Sequence, residues 1–311
     1  MWRRPLTVAG LLLLVLGGAC GGGTETETAP SSAPIQVLAA ETVLADIAQN
    51  VAGQRLTVQV LLPSGADPHS YQPTPSDLAR VAESDVLIVN GAGLEAFVQD
   101  QLRSVGGQRM VLEAATGLVS RQPKEGEGAE PHAHGEADPH FWLDPQNVIR
   151  YVENIRDGLS EADPGGAEEY AANAQTYIRQ LRELDSWIAA LVSELPPERR
   201  LLVTNHESFG YFADRYGFRI VGAIIPSVSS AAAPSALQLA LLVDRIRESG
   251  VRAIFLETGS NPELAEQLGR ETGVKVVTGL YTHSIGAPVG DASTYIEMMR
   301  HNASAIVEAL R

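Results

Sequence analysis

The sequence predicts an α/β protein of two lobes, each built on a mainly parallel four-stranded sheet, joined by one long rigid α-helix. Three observations carry this. Short β-rich runs alternate with helical patterns in both halves of the chain, a single apolar stripe of helical period lies between them, and the only long apolar run is at the N-terminus. In the first half the β-rich runs fall at residues 35–40, 58–63, 85–91 and 110–113, with helical patterns over 42–51 and 75–83. In the second half they fall at 200–205, 219–223, 253–257 and 275–280, with helices over 207–216, 235–249 and 262–272. Alternation at this spacing reads as βα units and parallel sheets. Between the halves, Tyr170, Ala174, Tyr177, Leu181, Leu184, Ile188, Leu191 and Leu195 recur in steps of four and three, the period of one helix face. Asp163-Pro164 supplies a start and Pro196-Pro197 a stop. At 1.5 Å per residue such a helix is a rod of roughly 45 Å. The stripe reads either as a coiled-coil seam or, being isolated, as a spine packed along both lobes that limits hinge motion between them. The organisation expected is a lobe over 35–162, the linking helix over 163–195 and a second lobe over 196–311.

The N-terminus reads as a targeting device. Arg3 and Arg4 precede an apolar run over residues 6–16, and Gly17-Gly18-Ala19 leads into Cys20, the only cysteine. About twenty apolar residues are needed to span a bilayer, so the run is short for that purpose. The segment over 1–20 resembles a bacterial lipoprotein signal, which implies Cys20 as the lipid-bearing first residue of the mature chain. The alternative is an ordinary secretory signal with a coincidental cysteine, since Gly17 stands where Leu is usual. Residues 21–34 are rich in Gly, Thr, Glu, Ser and Pro without apolar periodicity, which is the composition of a flexible tether. The expected location is therefore extracytoplasmic, on a lipid anchor.

Composition narrows the partners. With 38 acidic against 23 basic residues the formal charge is −15, unsuited to gripping nucleic-acid phosphates. A cationic ligand fits better, although acidic surfaces also serve solubility alone. One cysteine excludes a disulfide framework, a Cys-based zinc knuckle and a CxxC pair.

Histidines are the residues placed for chemistry. His69, His206 and His283 each lie shortly after a predicted strand, where ligands of open α/β sheets gather. His140 sits in the turn Asp138-Pro-His-Phe-Trp-Leu-Asp-Pro145, leading into a helix over 148–159. Any one of them alone reads as an ordinary hydrogen-bonded histidine. Two from each lobe at comparable places point to a shared site, and four imidazole nitrogens at about 2.0–2.1 Å make a tetrahedral zinc site.

Several long motifs resemble the zinc/manganese-binding lipoproteins of bacterial ABC importers. They are Ser64-Gly-Ala-Asp-Pro-His-Ser-Tyr-Gln-Pro-Thr-Pro-Ser-Asp77, the 138–145 turn, Thr204-Asn-His-Glu-Ser-Phe-Gly-Tyr-Phe-Ala213, Ile254-Phe-Leu-Glu257, Glu271-Thr-Gly273 and Tyr295-Ile-Glu-Met-Met-Arg-His-Asn302. The resemblance covers residues 35–311. It implies two α/β lobes joined by a long helix, metal bound between them, and delivery to a membrane permease. It also implies His69 and His140 as the first two ligands and His206 as the third, where manganese-type members tend to carry Glu. The fourth place is often Asp; here Tyr281-Thr-His-Ser284 puts His283 there, with Asp291, Glu257 or water as alternatives. Imidazole suits borderline metals and manganese sites favour carboxylate oxygens, so zinc is the expected ion and manganese the alternative. Glu207, Glu257 and Asp138 are candidates to orient the rings. Glu207 also reads simply as an exposed residue on a helix first turn, and His301 as an exposed helix residue. The stretch 125–139, with His132 and His134, resembles a short His- and acid-rich capture loop; the plainer reading is a solvated surface loop.

Two other functions are weighed. A zinc hydrolase needs an open coordination position and a base, but His206-Glu207 is not followed by the second His of HExxH. GxSxG and P-loop motifs are also absent from the sequence. A surface adhesin on the same scaffold would be marked by an exposed partner surface. A monomer that is not an enzyme is expected.

Overall fold

The computed structural model describes residues 35–95, 108–122, 124, 127 and 137–311. The signal over 1–20 with Cys20, the tether over 21–34, and His132 and His134 lie outside the described residues. Among the described residues no helix is long and apolar enough to cross a membrane.

The first half gives β1 (Val37–Ala39), α1 (Thr42–Ala52), β2 (Val58–Val60), α2 (Pro75–Glu83), β3 (Val86–Val89) and β4 (Met110–Glu113). Two helices follow, α3 (Pro145–Ala162) and the long α4 (Ala167–Ser193). The second half gives β5 (Leu201–His206), α5 (Gly210–Tyr216), β6 (Arg219–Ile225), α6 (Ala236–Ser249), β7 (Ala253–Glu257), α7 (Glu263–Thr272), β8 (Lys275–Leu280) and α8 (Tyr295–Leu310). Each half forms a four-stranded sheet with all described pairings parallel, in the orders β2-β1-β3-β4 and β6-β5-β7-β8. The predicted class therefore stands. The two orders are the same, so each sheet reverses its winding at one place: between β1 and β3 in the first, between β5 and β7 in the second.

Local chemistry explains the elements. β3, with every residue buried, reads Val-Leu-Ile-Val, the unbroken apolar run that a strand covered on both faces requires. α2 opens with Pro75 after a Thr74–Asp77 capping box, in which Asp77 N donates to Thr74 Oγ1 and Thr74 N to Asp77 Oδ2.

In α4 the buried face is Tyr170, Ala174, Tyr177, Leu181, Leu184, Ile188 and Val192. Leu191, predicted for this stripe, is only half-buried, because a step of four from Ile188 keeps Val192 on the face instead. The helix is also shorter than predicted: Pro164–Gly166 form a 3-10 turn ahead of Ala167, giving 27 residues and a length of about 40 Å. α4 packs on α1 and α3 of the first half and on α5 and α8 of the second. Its buried Asp185 accepts from Arg215 of α5 (2.5 Å), from Tyr216 (3.0 Å) and from Gln146 of α3 (3.0 Å), tying three helices at one carboxylate. The spine thus packs along both halves as expected of an isolated stripe.

α8 has no counterpart among the predicted helix ranges, although His301 was expected on a helix. It buries Tyr295, Met298, Met299, Ala303, Ile306, Val307 and Leu310, and Asn302 closes the turn after β8 by accepting from Tyr281 N and donating to Tyr281 O. His301 is half-buried on it, not exposed, with Nε2 3.1 Å from Gly279 O.

At the reversal point of the first sheet lies a buried acid pair. Glu41, after β1, is 1% exposed, and its carboxyl stands beside that of Glu95. Glu95, in the loop after β3, accepts from the N–H groups of Asn90 and Gly91. Burial, and then the Glu95 charge, push Glu41 well above the usual carboxylate range. A raised carboxyl keeps its proton in the folded chain while the unfolded chain has lost it, so stability falls as pH rises from 4.5 to the folded value. Glu41→Gln keeps the shape without the charge. It should therefore gain stability over the parent by about 1.4 kcal/mol per pH unit across that window. Urea melts at pH 5 and pH 8 check this; an equal difference at both would contradict it.

Candidate metal centre

Four histidines meet between the sheets. His69 follows β2, His206 ends β5, and His283 follows β8; His140 comes from the 3-10 turn Phe141–Leu143 that precedes α3. His140 Nε2 lies 3.4 Å from His69 Nε2, 3.1 Å from His206 Nε2 and 3.3 Å from His283 Nε2. One ring nitrogen from each of the four lies within 4.8 Å of the others. His140 and His206 are fully buried, whereas His69 and His283 are partly reached by solvent.

The loops hold these rings by a repeated device. Residues 67–69 and 138–140 both read Asp-Pro-His, and in both the Asp Oδ1 accepts the N–H of the His two residues on, at 3.0 Å. Asp138 Oδ1 also meets His140 Nδ1 at 2.9 Å. In the other half, Glu257 at the end of β7 meets His206 Nδ1 at 2.6 Å through Oε1 and accepts from Thr282 Oγ1 at 2.7 Å through Oε2. His283 Nδ1 stands 3.8 Å from the same carboxylate. A ring that gives Nδ1–H to a carboxylate keeps its Nε2 lone pair free, and here that lone pair points at the common centre. β5 and β7 are the strands flanking the reversal point of the second sheet, which is why His206 and Glu257 meet there.

The charge states follow from burial and neighbours. Burial, and then the His206 charge, push His69 down to about 4. The same two causes hold His140 and His283 well below the ordinary histidine value. Burial pushes His206 down too, but the Glu257 carboxylate outweighs it by charge and hydrogen bond, so this ring ends above its ordinary value. Glu257, despite its burial, is drawn down to about 2 by the His206 charge. Burial thus disfavours the charged form of three rings, while the Glu257 carboxylate favours it in His206.

Contacts across the cluster brace it. Trp142 Nε1 donates to Thr282 O at 2.7 Å, Tyr295 Oη to Trp142 O at 2.7 Å, Tyr211 Oη to Asp138 O at 2.8 Å, and Ser230 Oγ to Asp67 Oδ2 at 2.5 Å.

The other sequence candidates separate. Asp138 and Glu257 stand behind the rings, as ring-orienting residues would. Asp291 is exposed and outside the cluster, since its loop runs over the surface before α8. Glu207 is half-buried and not on a helix first turn: Ser208 N bonds back to His206 O and Glu207 N to Ser227 O, so the chain turns there and α5 begins only at Gly210. Thr282 and Asp67 were not singled out by sequence reasoning. The signal for Asp67 was present in the second copy of Asp-Pro-His; Thr282 has no signal beyond its place before His283.

The sequence matches the family described as ZnuA, zinc-uptake complex component A, periplasmic, over residues 37–309. The chain belongs to that family. It is 35% identical over 300 residues to the manganese-binding lipoprotein MntA of Halalkalibacterium halodurans, covering 96% of each chain. It is 32% identical over 302 residues to the iron-binding protein YfeA of Yersinia pestis, covering 97% of this chain and 94% of that one. Among solved structures, the periplasmic zinc-binding protein TroA of Treponema pallidum superposes with a TM-score of 0.81 at 29% identity, over 89% of this chain and 99% of that one. The chain is thus a metal-binding, substrate-binding component of an ABC importer and not an enzyme. The family description and these relatives name metal uptake and binding; adhesion finds no support among them.

Proposed function

We propose that the protein captures Zn²⁺ outside the cytoplasm with His69, His140, His206 and His283 and hands it to an ABC-transporter permease, as a monomer tethered to the membrane through lipid on Cys20. The all-nitrogen donor set carries the choice of metal. Four nitrogens bound tetrahedrally at about 2.0–2.1 Å stand about 3.3–3.4 Å apart. The three Nε2 separations from His140, at 3.1–3.4 Å, match that spacing. The named relatives divide among manganese, iron and zinc, so similarity alone does not choose. Imidazole favours zinc over manganese in chemistry. Asp138 and Glu257 orient His140 and His206, and Glu257 balances part of the charge of the bound ion.

The second reading is a manganese carrier, favoured by the 35% identity to a manganese-binding lipoprotein. A competition titration tests the zinc reading: one Zn²⁺ per chain should bind and should displace Mn²⁺ from the preloaded protein. Retention of Mn²⁺ against equimolar Zn²⁺ would establish the manganese reading.

A further inference from the structure

Beside the histidines a cavity of about 540 Å³ opens at the carboxyl ends of the second sheet, and His283 forms part of its wall. The two buried rings, His140 and His206, have no exposed surface, so an ion reaches the cluster from the side of His69 and His283. Asp67, two residues before His69, also lines the cavity.

Two wall residues are unexplained by the fold. Asn205 and Ser284 are 8% and 6% exposed, and neither side chain hydrogen-bonds to another described residue. Neither has a polar atom that is both sealed from solvent and unpaired, so the Asn205 amide and the Ser284 hydroxyl open on the cavity and offer free oxygens to what fills it. The charged groups on the wall are the carboxylates of Asp67, Glu257 and Glu263, with neither Lys nor Arg among the lining residues. Oxygen donors with net negative charge suit a hydrated divalent cation. Such an ion with six waters of about 30 Å³ each needs on the order of 180 Å³. The cavity holds it with room to turn.

We infer that this cavity is a second, all-oxygen site that holds a hydrated divalent cation before it passes to the histidines. Both oxygens of Glu257 are engaged by His206 and Thr282, and those of Asp67 by His69 N–H and Ser230. Asn205, Ser284 and Glu263 are among the wall residues that offer oxygens not engaged in this way. The inference rests on the histidines being the tight site, and its test keeps the two separable.

In the His140→Ala/His206→Ala chain, one weakly bound Mn²⁺ per molecule is expected by electron paramagnetic resonance. Adding Asn205→Ala and Glu263→Gln should weaken it at least about tenfold. In the otherwise native chain, the Asn205→Ala/Glu263→Gln pair should slow Zn²⁺ association about tenfold by stopped flow, the scale of electrostatic steering, and leave the equilibrium affinity within about twofold. Ser284→Ala is a second variant for the same kinetic measurement, should the histidine background fail to fold. Absence of weak Mn²⁺ in the folded histidine variant, or a Zn²⁺ association rate indifferent to Asn205, Glu263 and Ser284, overturns the inference. Tight Zn²⁺ binding by the His140→Ala/His206→Ala chain instead removes the histidine reading, whatever the cavity does.

Discussion

His140→Ala should abolish tight zinc binding while the protein stays folded. His140 Nε2 is within 3.1–3.4 Å of the other three Nε2 atoms, so it is the ring nitrogen in close reach of every other donor of the proposed site. Loss of an outer partner of a metal ligand costs roughly 10–100-fold in affinity, and loss of the ligand itself should exceed that. The fold should survive. Trp142 Nε1 and Tyr295 Oη hold the turn without His140, and Asp138 keeps its backbone bond to residue 140, whatever its side chain. A competition titration with a chromophoric chelator measures the affinity, and thermal melts of the metal-free chain check the fold. An unchanged zinc affinity would mean that the cluster is not the binding site. Asp291→Ala, at an exposed loop position outside the cluster, should leave affinity unaltered in the same assay.

The legible parts of the sequence were those where one periodicity acts alone. β4, β7, β8 and α2 begin and end at the residues predicted, because each is a short run bounded by a turn or a cap. The helix expected from residue 207 begins late, since the hydrogen bonds of Glu207 and Ser208 to Ser227 and His206 are tertiary or turn contacts that periodicity does not encode. The α8 stretch was visible as a motif, with His301 read as helical, but its bounds were not, although its buried face has a clear helical period. The histidines were found because each sits at a strand end or in a stiff Asp-Pro turn. Their convergence depends on two sheets of the same strand order facing one another, which no single stretch of sequence specifies. The Thr282 contact to Glu257 belongs to that assembled geometry, and so does the buried Glu41–Glu95 pair.

Acidification should release zinc in two stages, and Glu257 should set the first. Imidazole ligates only when neutral, so protons compete with the ion. In the metal-free protein the Glu257 carboxylate raises His206 above 6.5, and this ring accepts a proton first. Zinc binding below that folded value therefore expels one proton, and affinity should fall about tenfold per pH unit, the factor one competing proton imposes. Burial and then the His206 charge hold His69 down to about 4, and His140 and His283 are also depressed. These rings should not compete until the pH approaches that range, where the slope steepens. Glu257→Gln separates the causes. Loss of the carboxylate that orients His206 should weaken zinc by roughly 10–100-fold at neutral pH. The same change removes the charge that raises His206 and leaves its burial, so the ring should drop toward its neighbours and the onset of acid release should move to lower pH. Zinc affinities from pH 8 to pH 5 for both chains read this directly. A weaker site with an unshifted onset would show that Glu257 positions the ring without controlling its proton. A lower affinity together with a later acid onset has no source in simple loss of packing, because packing defects weaken the site at every pH alike.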